Sequence, residues 1–235
     1  MINSEYADLY GGRVVLRFDD TDTRVKPPLV DAYDWIREEF EWLAGRPADG
    51  EIRASERMPI YLKYAKKMIE GGHGYVCRCK AEEFRKFREA KKECPCRGRE
   101  IPENIDDWSH MVSGILVEGE AVVRVKTDMS IPNPALRDWP ALRIQHTPHP
   151  LVGEKYKVWP LLDFQSAIED HEQGVTHIIR GKDLMDSTRK QTLLYDHFEW
   201  DYPESLYWGR VKVHEFGGFS TSGILSSIES GDYGG

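Results

Sequence analysis

No run in the 235 residues approaches the ~20 consecutive apolar positions that a membrane helix needs, so no membrane partner is expected. The opening stretch, MINSEYADLYGG, is polar and lacks the succession of charged, apolar and small residues that marks a signal peptide. No internal repeat and no low-complexity segment occurs. Positive charge is in deficit: 32 Lys and Arg against 40 Asp and Glu leave a formal charge of −8, which argues against a protein that coats nucleic acid indiscriminately. These absences leave an ordinary globular composition, a cytoplasmic setting, and a length that suits one large domain or two small ones.

Cysteine is also scarce, yet all four lie in one segment, as Cys77-Arg78-Cys79 and Cys94-Pro95-Cys96 with fourteen residues between the pairs. Two close pairs can supply four thiolates to one tetrahedral Zn2+ if the intervening chain folds back. Free buried thiols are the alternative; disulfides do not suit a reducing cytosol. A metal there would be structural and closed. The intervening KAEEFRKFREAKKE predicts a short helix with Phe84 and Phe87 turned inward. From Arg78 to Arg99, nine basic residues stand against four acidic ones. A solvated helix face and a phosphate-contacting surface explain that local excess equally well.

The remainder alternates strand and helix patterns. Residues 13–18, RVVLRF, read as a strand with Val14, Leu16 and Phe18 on one face. The acids Asp19, Asp20 and Asp22 follow at its end. Pro27-Pro28 then opens a helix with Leu29, Tyr33, Ile36, Phe40 and Leu43 on one side. In open α/β sheets ligands bind at the carboxyl ends of strands. The acid cluster therefore holds a ligand, or it caps the helix and makes Asx turns. Pro59 to Glu70 reads as a second helix, with Tyr61, Tyr64, Ala65 and Met68 on one side. Residues 121–126 and 141–145 read as strands. A helix from Asp163 ends at Gly174, a strand covers Thr176 to Arg180, and a further helix starts near Asp186 or Ser187. Trp208 to Val213 reads as a last strand before the loop FGGFSTSG.

The ordered set LRFDDTD, PNPALRDW, VWPLLDFQSAIEDHEQGVTHIIRGKDL, YWGRVKV and GGFSTSG resembles the glutamyl/glutaminyl branch of class I aminoacyl-tRNA synthetases, most closely its archaeal glutamyl type. The resemblance covers essentially the whole chain. It implies an α/β, Rossmann-like catalytic domain, in two parts over 1–71 and 161–235. Between them, 72–160 would be an inserted α+β domain that grips the tRNA acceptor end. The implied reaction joins L-glutamate and ATP, brought in with Mg2+, to give glutamyl-adenylate, and passes the acyl group to the terminal adenosine of tRNA(Glu), with tRNA(Gln) as a second candidate acceptor. Such chemistry runs on positioning and electrostatics, which fits the lack of any Ser-His-Asp arrangement. A monomer is expected.

Residue by residue, the resemblance implies that Asp19 contacts the substrate's α-amino group, a charge-assisted pair. Asp20, Thr21 and Asp22 would shape the turn and cap the helix. Arg180 would receive the glutamate side chain, since a carboxylate gains far more from a guanidinium than a carboxamide does. Glutaminyl relatives carry a small neutral residue there. Many relatives have tyrosine where this chain has Leu162; Tyr156 or Ser166 would stand in. Gly181, Arg210 and Val211 would lie along ATP, and Ser220, Thr221 and Ser222 would donate to its phosphates in a loop without the usual lysines. The His-x-Gly-His signature is absent from this sequence. The expectation is therefore a partial chain that lacks half of the ATP site and is inert by itself in adenylate formation. The competing expectations are a non-catalytic acceptor-binding module and a glutaminyl enzyme.

Overall fold

The structure, a computed structural model, describes residues 2–209 together with Ser227 and Ser230. Two parallel strand pairs, each closed by a helical crossover, flank an antiparallel sheet. The first pair is β1 (Val15–Phe18) and β2 (Gly50–Arg53), joined through α2 (Val30–Ala44), with Leu16 opposite Glu51. The second is β7 (His177–Gly181) and β8 (Glu204–Trp208), joined through α7 (Met185–Phe198), with Arg180 opposite Tyr207. Among the described residues the pairs are not hydrogen-bonded to one another. A cavity of about 490 Å³ is lined by Val14, Val15 and Leu16 from the first and by Ile179 and Trp208 from the second. Helix α1 (Ile2–Tyr10) adds Ile2, Asn3 and Ser4 to its wall.

The antiparallel sheet has the order β3 (Gly74–Cys77), β4 (Val122–Val125), β5 (Pro140–Ile144), β6 (Val158–Pro160). Every residue of β3 and β6 is buried, so these short strands read as apolar runs rather than as alternation. One apolar core runs from this sheet into four helices: α3 (Met58–Glu70), α5 (Ile101–Ser113), α6 (Leu162–Glu172) and α7. Trp139 and Trp159 pack there with Met58, Tyr61, Met68, Phe164, Ile168 and Leu194, all nearly inaccessible. A smaller core of Tyr75, Cys77, Cys94 and Phe84 lies under α4 (Ala81–Glu89).

Several expectations need correction. The helix expected from Pro27-Pro28 begins at Val30, with Leu29 at its N-cap and no side-chain cap. Of its expected apolar face only Tyr33 is buried, edge-on to Phe18; Leu29, Ile36 and Leu43 are exposed. Among the described residues β1 pairs only with β2, and the outer part of that face stays outside the core. The last strand starts earlier than read, at Glu204, and the residues beyond 209 expected to continue it lie outside the described part. Helix α5 (Ile101–Ser113) was not foreseen, although its ends carry strong signals. Glu100 and Glu103 form a reciprocal capping box, Pro102 sits in the first turn, and Gly114 closes the helix in the left-handed region at φ 78°.

The motif PNPALRDW turns out to be a strut. Asp138, fully buried with φ 37°, accepts from Thr127 N (2.8 Å), Tyr75 Oη (2.8 Å) and Arg97 Nε (2.9 Å). Its carbonyl accepts from Arg124, whose guanidinium lies 3.3 Å above the Phe84 ring. Arg137 donates to the carbonyls of Arg88, Ile131 and Pro132. These bonds tie the cysteine segment to the main sheet. Asp138→Ala would strand the Tyr75 hydroxyl and the Arg97 guanidinium, and is expected to lower unfolding free energy by about 3 kcal/mol in urea titrations. A loss below about 1 kcal/mol, the net worth of a single ordinary hydrogen bond, would show that the strut is not bearing load.

Candidate functional site

The turn after β1 separates its four polar residues by task. Asp20 is buried and accepts from Ser55 N (2.8 Å), Ser55 Oγ (2.7 Å) and Tyr33 Oη (2.7 Å). It therefore anchors the single-turn helix Ala54–Arg57 and holds α2 through Tyr33, but it does not cap the N-terminus of α2 as expected. Asp22 accepts from the backbone of Arg24 and Val25, a local turn, and pairs with Arg143 at 2.7 Å. Those bonds hold its carboxyl below the usual range despite partial desolvation. Thr21 is buried and donates to Gln165 Oε1 at 2.6 Å.

Like Asp22, whose side chain is 38% exposed, Asp19 is left partly open, with its side chain 35% exposed. Two donors converge on one of its oxygens: Gln165 Nε2 at 2.6 Å and Arg17 Nε at 3.1 Å, both to Oδ1. Among the described residues nothing donates to Oδ2, so that oxygen is free to receive a ligand. Arg17 is in turn fixed by Asp170 on α6, at 2.8 Å. Desolvation pushes the Asp19 carboxyl above the ordinary range; Arg17 and the Gln165 amide pull against it.

At the carboxyl end of β7 stands Arg180, half-buried. Its Nη1 donates to Gln191 Oε1 (3.0 Å) and Thr188 Oγ1 (3.3 Å), both on α7. No carboxylate of the described residues lies within 4 Å of it. Gln191 also donates to the carbonyl of Asp163 at 3.3 Å. Helix α6 thus supports both charged groups, Asp19 through Gln165 and Arg180 through the Asp163 backbone. The arrangement offers a carboxylate oxygen for a cation and a guanidinium for an anion.

The other expected residues are placed as follows. Leu162, the first residue of α6, is 56% exposed. Ser166 is buried beside Gln165. Tyr156 packs edge-on to Trp159 with Lys155 over its ring. Gly181 closes β7, where a Cβ would run into the Asp183 carboxylate. Arg210, Val211, Ser220, Thr221 and Ser222 lie outside the described residues.

Cys77, Cys79, Cys94 and Cys96 converge, with all four sulfurs within 4.8 Å of one another. Cys77 and Cys94 are 3.9 Å apart, and Cys79 and Cys96 3.7 Å. A tetrahedron of thiolates around Zn2+ has edges of about 3.8 Å, so the donor set fits that ion. Neighbouring thiols and the Arg78 amide hold Cys96 low, whereas hydrogen bonding to Cys94 and Cys96 pushes Cys77 up.

The basic segment is less free than its charge count suggests. Arg78 and Arg99 both pair with Asp107, Arg97 with Asp138 and Glu93, and Arg85 with Glu89. Asp107 and Asp138 lie outside the counted window, which is why the count missed them. Lys80, Lys86, Lys91 and Lys92 remain exposed. Sequence reasoning also passed over Arg17, Gln165, Asp170 and Gln191. Their contacts span up to 153 residues, beyond the reach of any local spacing.

Residues 1–214 match the family described as tRNA synthetases class I (E and Q), catalytic domain. The chain is 53% identical over 237 residues to a glutamate–tRNA ligase of Methanosarcina mazei, covering 100% of this chain and 41% of that protein. It is 53% identical over 233 residues to one of Archaeoglobus fulgidus, covering 99% of this chain and 42% of the other. The chain thus spans about two fifths of the length of these curated relatives. In three dimensions it is similar to a glutamate tRNA ligase from Elizabethkingia meningosepticum solved in complex with its amino acid. The TM-score is 0.67 at 21% identity, over 98% of this chain and 49% of that one. That likeness supports the fold: the parallel pairs and their crossovers are the α/β, Rossmann-like part of a class I catalytic domain.

The geometry around Asp19 makes a direct prediction. Its carboxyl carbon, followed by NMR, is expected to titrate above the ordinary aspartate value of about 3.9. Gln165→Leu removes a donor to the ionised form and is expected to move the midpoint further up. A wild-type midpoint at or below the ordinary value would refute the assigned environment.

Proposed function

The chain belongs to the class I tRNA synthetases of the E and Q type, and on that premise we propose that it forms the amino-acid site of a glutamate–tRNA ligase. The reaction is ATP-dependent activation of L-glutamate as its adenylate, followed by transfer to the 3′-terminal adenosine of tRNA(Glu), with tRNA(Gln) as a further candidate acceptor. The observation that carries this reading is Arg180: a half-buried guanidinium at a strand end, held only by neutral groups among the described residues. A buried cation without an anion is costly, and a substrate carboxylate would relieve that cost. Asp19 Oδ2 would receive the α-ammonium. With both ends of the amino acid held, its carboxylate is presented to ATP by position, with no side chain required to move a proton. ATP would enter with Mg2+ alongside Gly181 and the segment from Arg210 to Ser222.

The antiparallel sheet and α4, within 72–160, would meet the acceptor end. Exposed Lys86, Lys91 and Lys92 supply phosphate contacts on an otherwise acidic chain. Zn2+ held by Cys77, Cys79, Cys94 and Cys96 would fix the base of that helix. A module that only binds the acceptor would account for the lysines but not for the neutral cage around Arg180. A glutaminyl enzyme would gain little from a guanidinium there.

Three outcomes check this reading in the full-length protein. Arg180→Ser is expected to lower kcat/KM for glutamate in ATP–pyrophosphate exchange by about a hundredfold or more, because a paired carboxylate loses its partner. An unchanged kcat/KM would remove the basis of the assignment. The pH dependence has a fixed sign: Asp19 must be ionised to hold an ammonium, and its pKa is raised. Glutamate affinity is therefore complete above that pKa and falls away as the pH drops through it, at a higher pH than for an ordinary aspartate. Metal analysis after purification without chelators is expected to give about one equivalent of zinc, and Cys77→Ser to abolish it; below about a tenth of an equivalent in the wild type, the four-thiolate site is not a zinc site.

A further inference from the structure

Gln191 lies on α7, eleven residues beyond Arg180, and is 2% exposed. Its Oε1 accepts from two donors, Arg180 Nη1 at 3.0 Å and the Tyr202 hydroxyl at 2.7 Å. Its Nε2 points away, to the carbonyl of Asp163. The amide cannot turn over, because a guanidinium has no acceptor to offer an NH2 group. Burial pushes the Tyr202 phenol up to about 12, so it stays neutral and donates. Thr188, the other contact of the same Nη1, is also neutral. Elsewhere in this region charge meets charge: Arg17 has Asp170, Arg57 has Glu169, and Lys190 has Asp163. Among the described residues, Arg180 is oriented instead by groups that carry none.

We propose that Gln191 is a specificity residue for the amino acid, its neutral amide orienting Arg180 while leaving the guanidinium's charge for the substrate's side-chain carboxylate. This rests on the glutamate reading above and adds to it a requirement on a residue that need not touch the substrate. Glutamate in place of Gln191 has nearly the same shape and keeps both incoming donors. It adds one negative charge, placed where it pairs with Arg180 internally, and gives up the long N–H bond to the Asp163 carbonyl, which Gln191→Met gives up as well. A substrate carboxylate would then meet a neutralised partner and a nearby like charge, whereas glutamine would no longer be disfavoured.

The test is ATP–pyrophosphate exchange by the full-length protein with glutamate and with glutamine. Gln191→Glu is expected to raise KM for glutamate about a hundredfold, to change kcat by less than about threefold, and to erode the preference over glutamine by a similar factor. Gln191→Met, equally long and uncharged, is expected to raise KM less than about tenfold and to keep the preference, so the effect separates charge from packing. If Gln191→Glu does not fold, Thr188→Asp places a carboxylate on the other contact of Nη1, in the first turn of α7 where an acid is tolerated, and the same loss is expected. A folded Gln191→Glu or Thr188→Asp protein with unchanged glutamate KM and preference overturns the proposal. Wild type that shows no glutamate-dependent exchange overturns the glutamate reading itself, and this inference with it.

Discussion

An ion pair of 2.8 Å between Arg17 and Asp170 joins strand β1 to helix α6 across 153 residues, and the arrangement of the site follows from it. Arg17 places its Nε–H on Asp19 Oδ1. One turn earlier on α6, Gln165 reaches the same oxygen and takes the Thr21 hydroxyl on its other side. Glu169, wholly buried, takes Arg57 and the Tyr61 hydroxyl at 2.7 Å each. Helix α6 is therefore fixed by polar contacts on the side that meets α3 and β1, and by Phe164, Ala167 and Ile168 in the core. Buried charges left unpaired would be expensive, so this network tolerates few changes singly.

The two charged groups of the site are supported in different ways, and the difference has chemical content. Asp19 is a carboxylate with one oxygen occupied by protein and one open, which directs an incoming cation to a single face. Arg180 has only neutral hydrogen-bond partners among the described residues. On the proposed reading, an oriented anion and a cation without an internal counter-charge would select a zwitterion with an additional acid group more strongly than an apolar shape could.

Local features could be read from the sequence because they are written in short spacings. The cysteine pairs, the Phe84 face of α4, the buried side of α3 and the β1 turn all came from periodicities or from residues within a few positions of each other. The roles of Gln165 and Gln191 could not be read, since an amide in a helix has no meaning until its distant partner is known. The α2 stripe failed for the opposite reason: its periodicity is genuine, but a two-stranded parallel pair offers too little surface to cover it. The basic segment lost part of its apparent charge to Asp107 and Asp138, which sit beyond any local window. Helix α5 carried its caps in plain sight at Glu100, Glu103 and Gly114.

The span of the Arg17–Asp170 contact also bears on the order of assembly. Each parallel pair closes through its own crossover, within 15–53 and 177–208, whereas joining β1 to α6 closes a loop of 153 residues. Closing the longer loop costs about 1 kcal/mol more entropy than closing either crossover, and contacts of that separation form after local ones. The bond between Gln165 and Asp19 belongs to the same late class, at a separation of 146. The groups around Asp19 are thus brought into register by a late long-range closure of the chain. A chain arrested with both crossovers formed would have its helices and strands but not the joint hold of Arg17 and Gln165 on the Asp19 carboxylate.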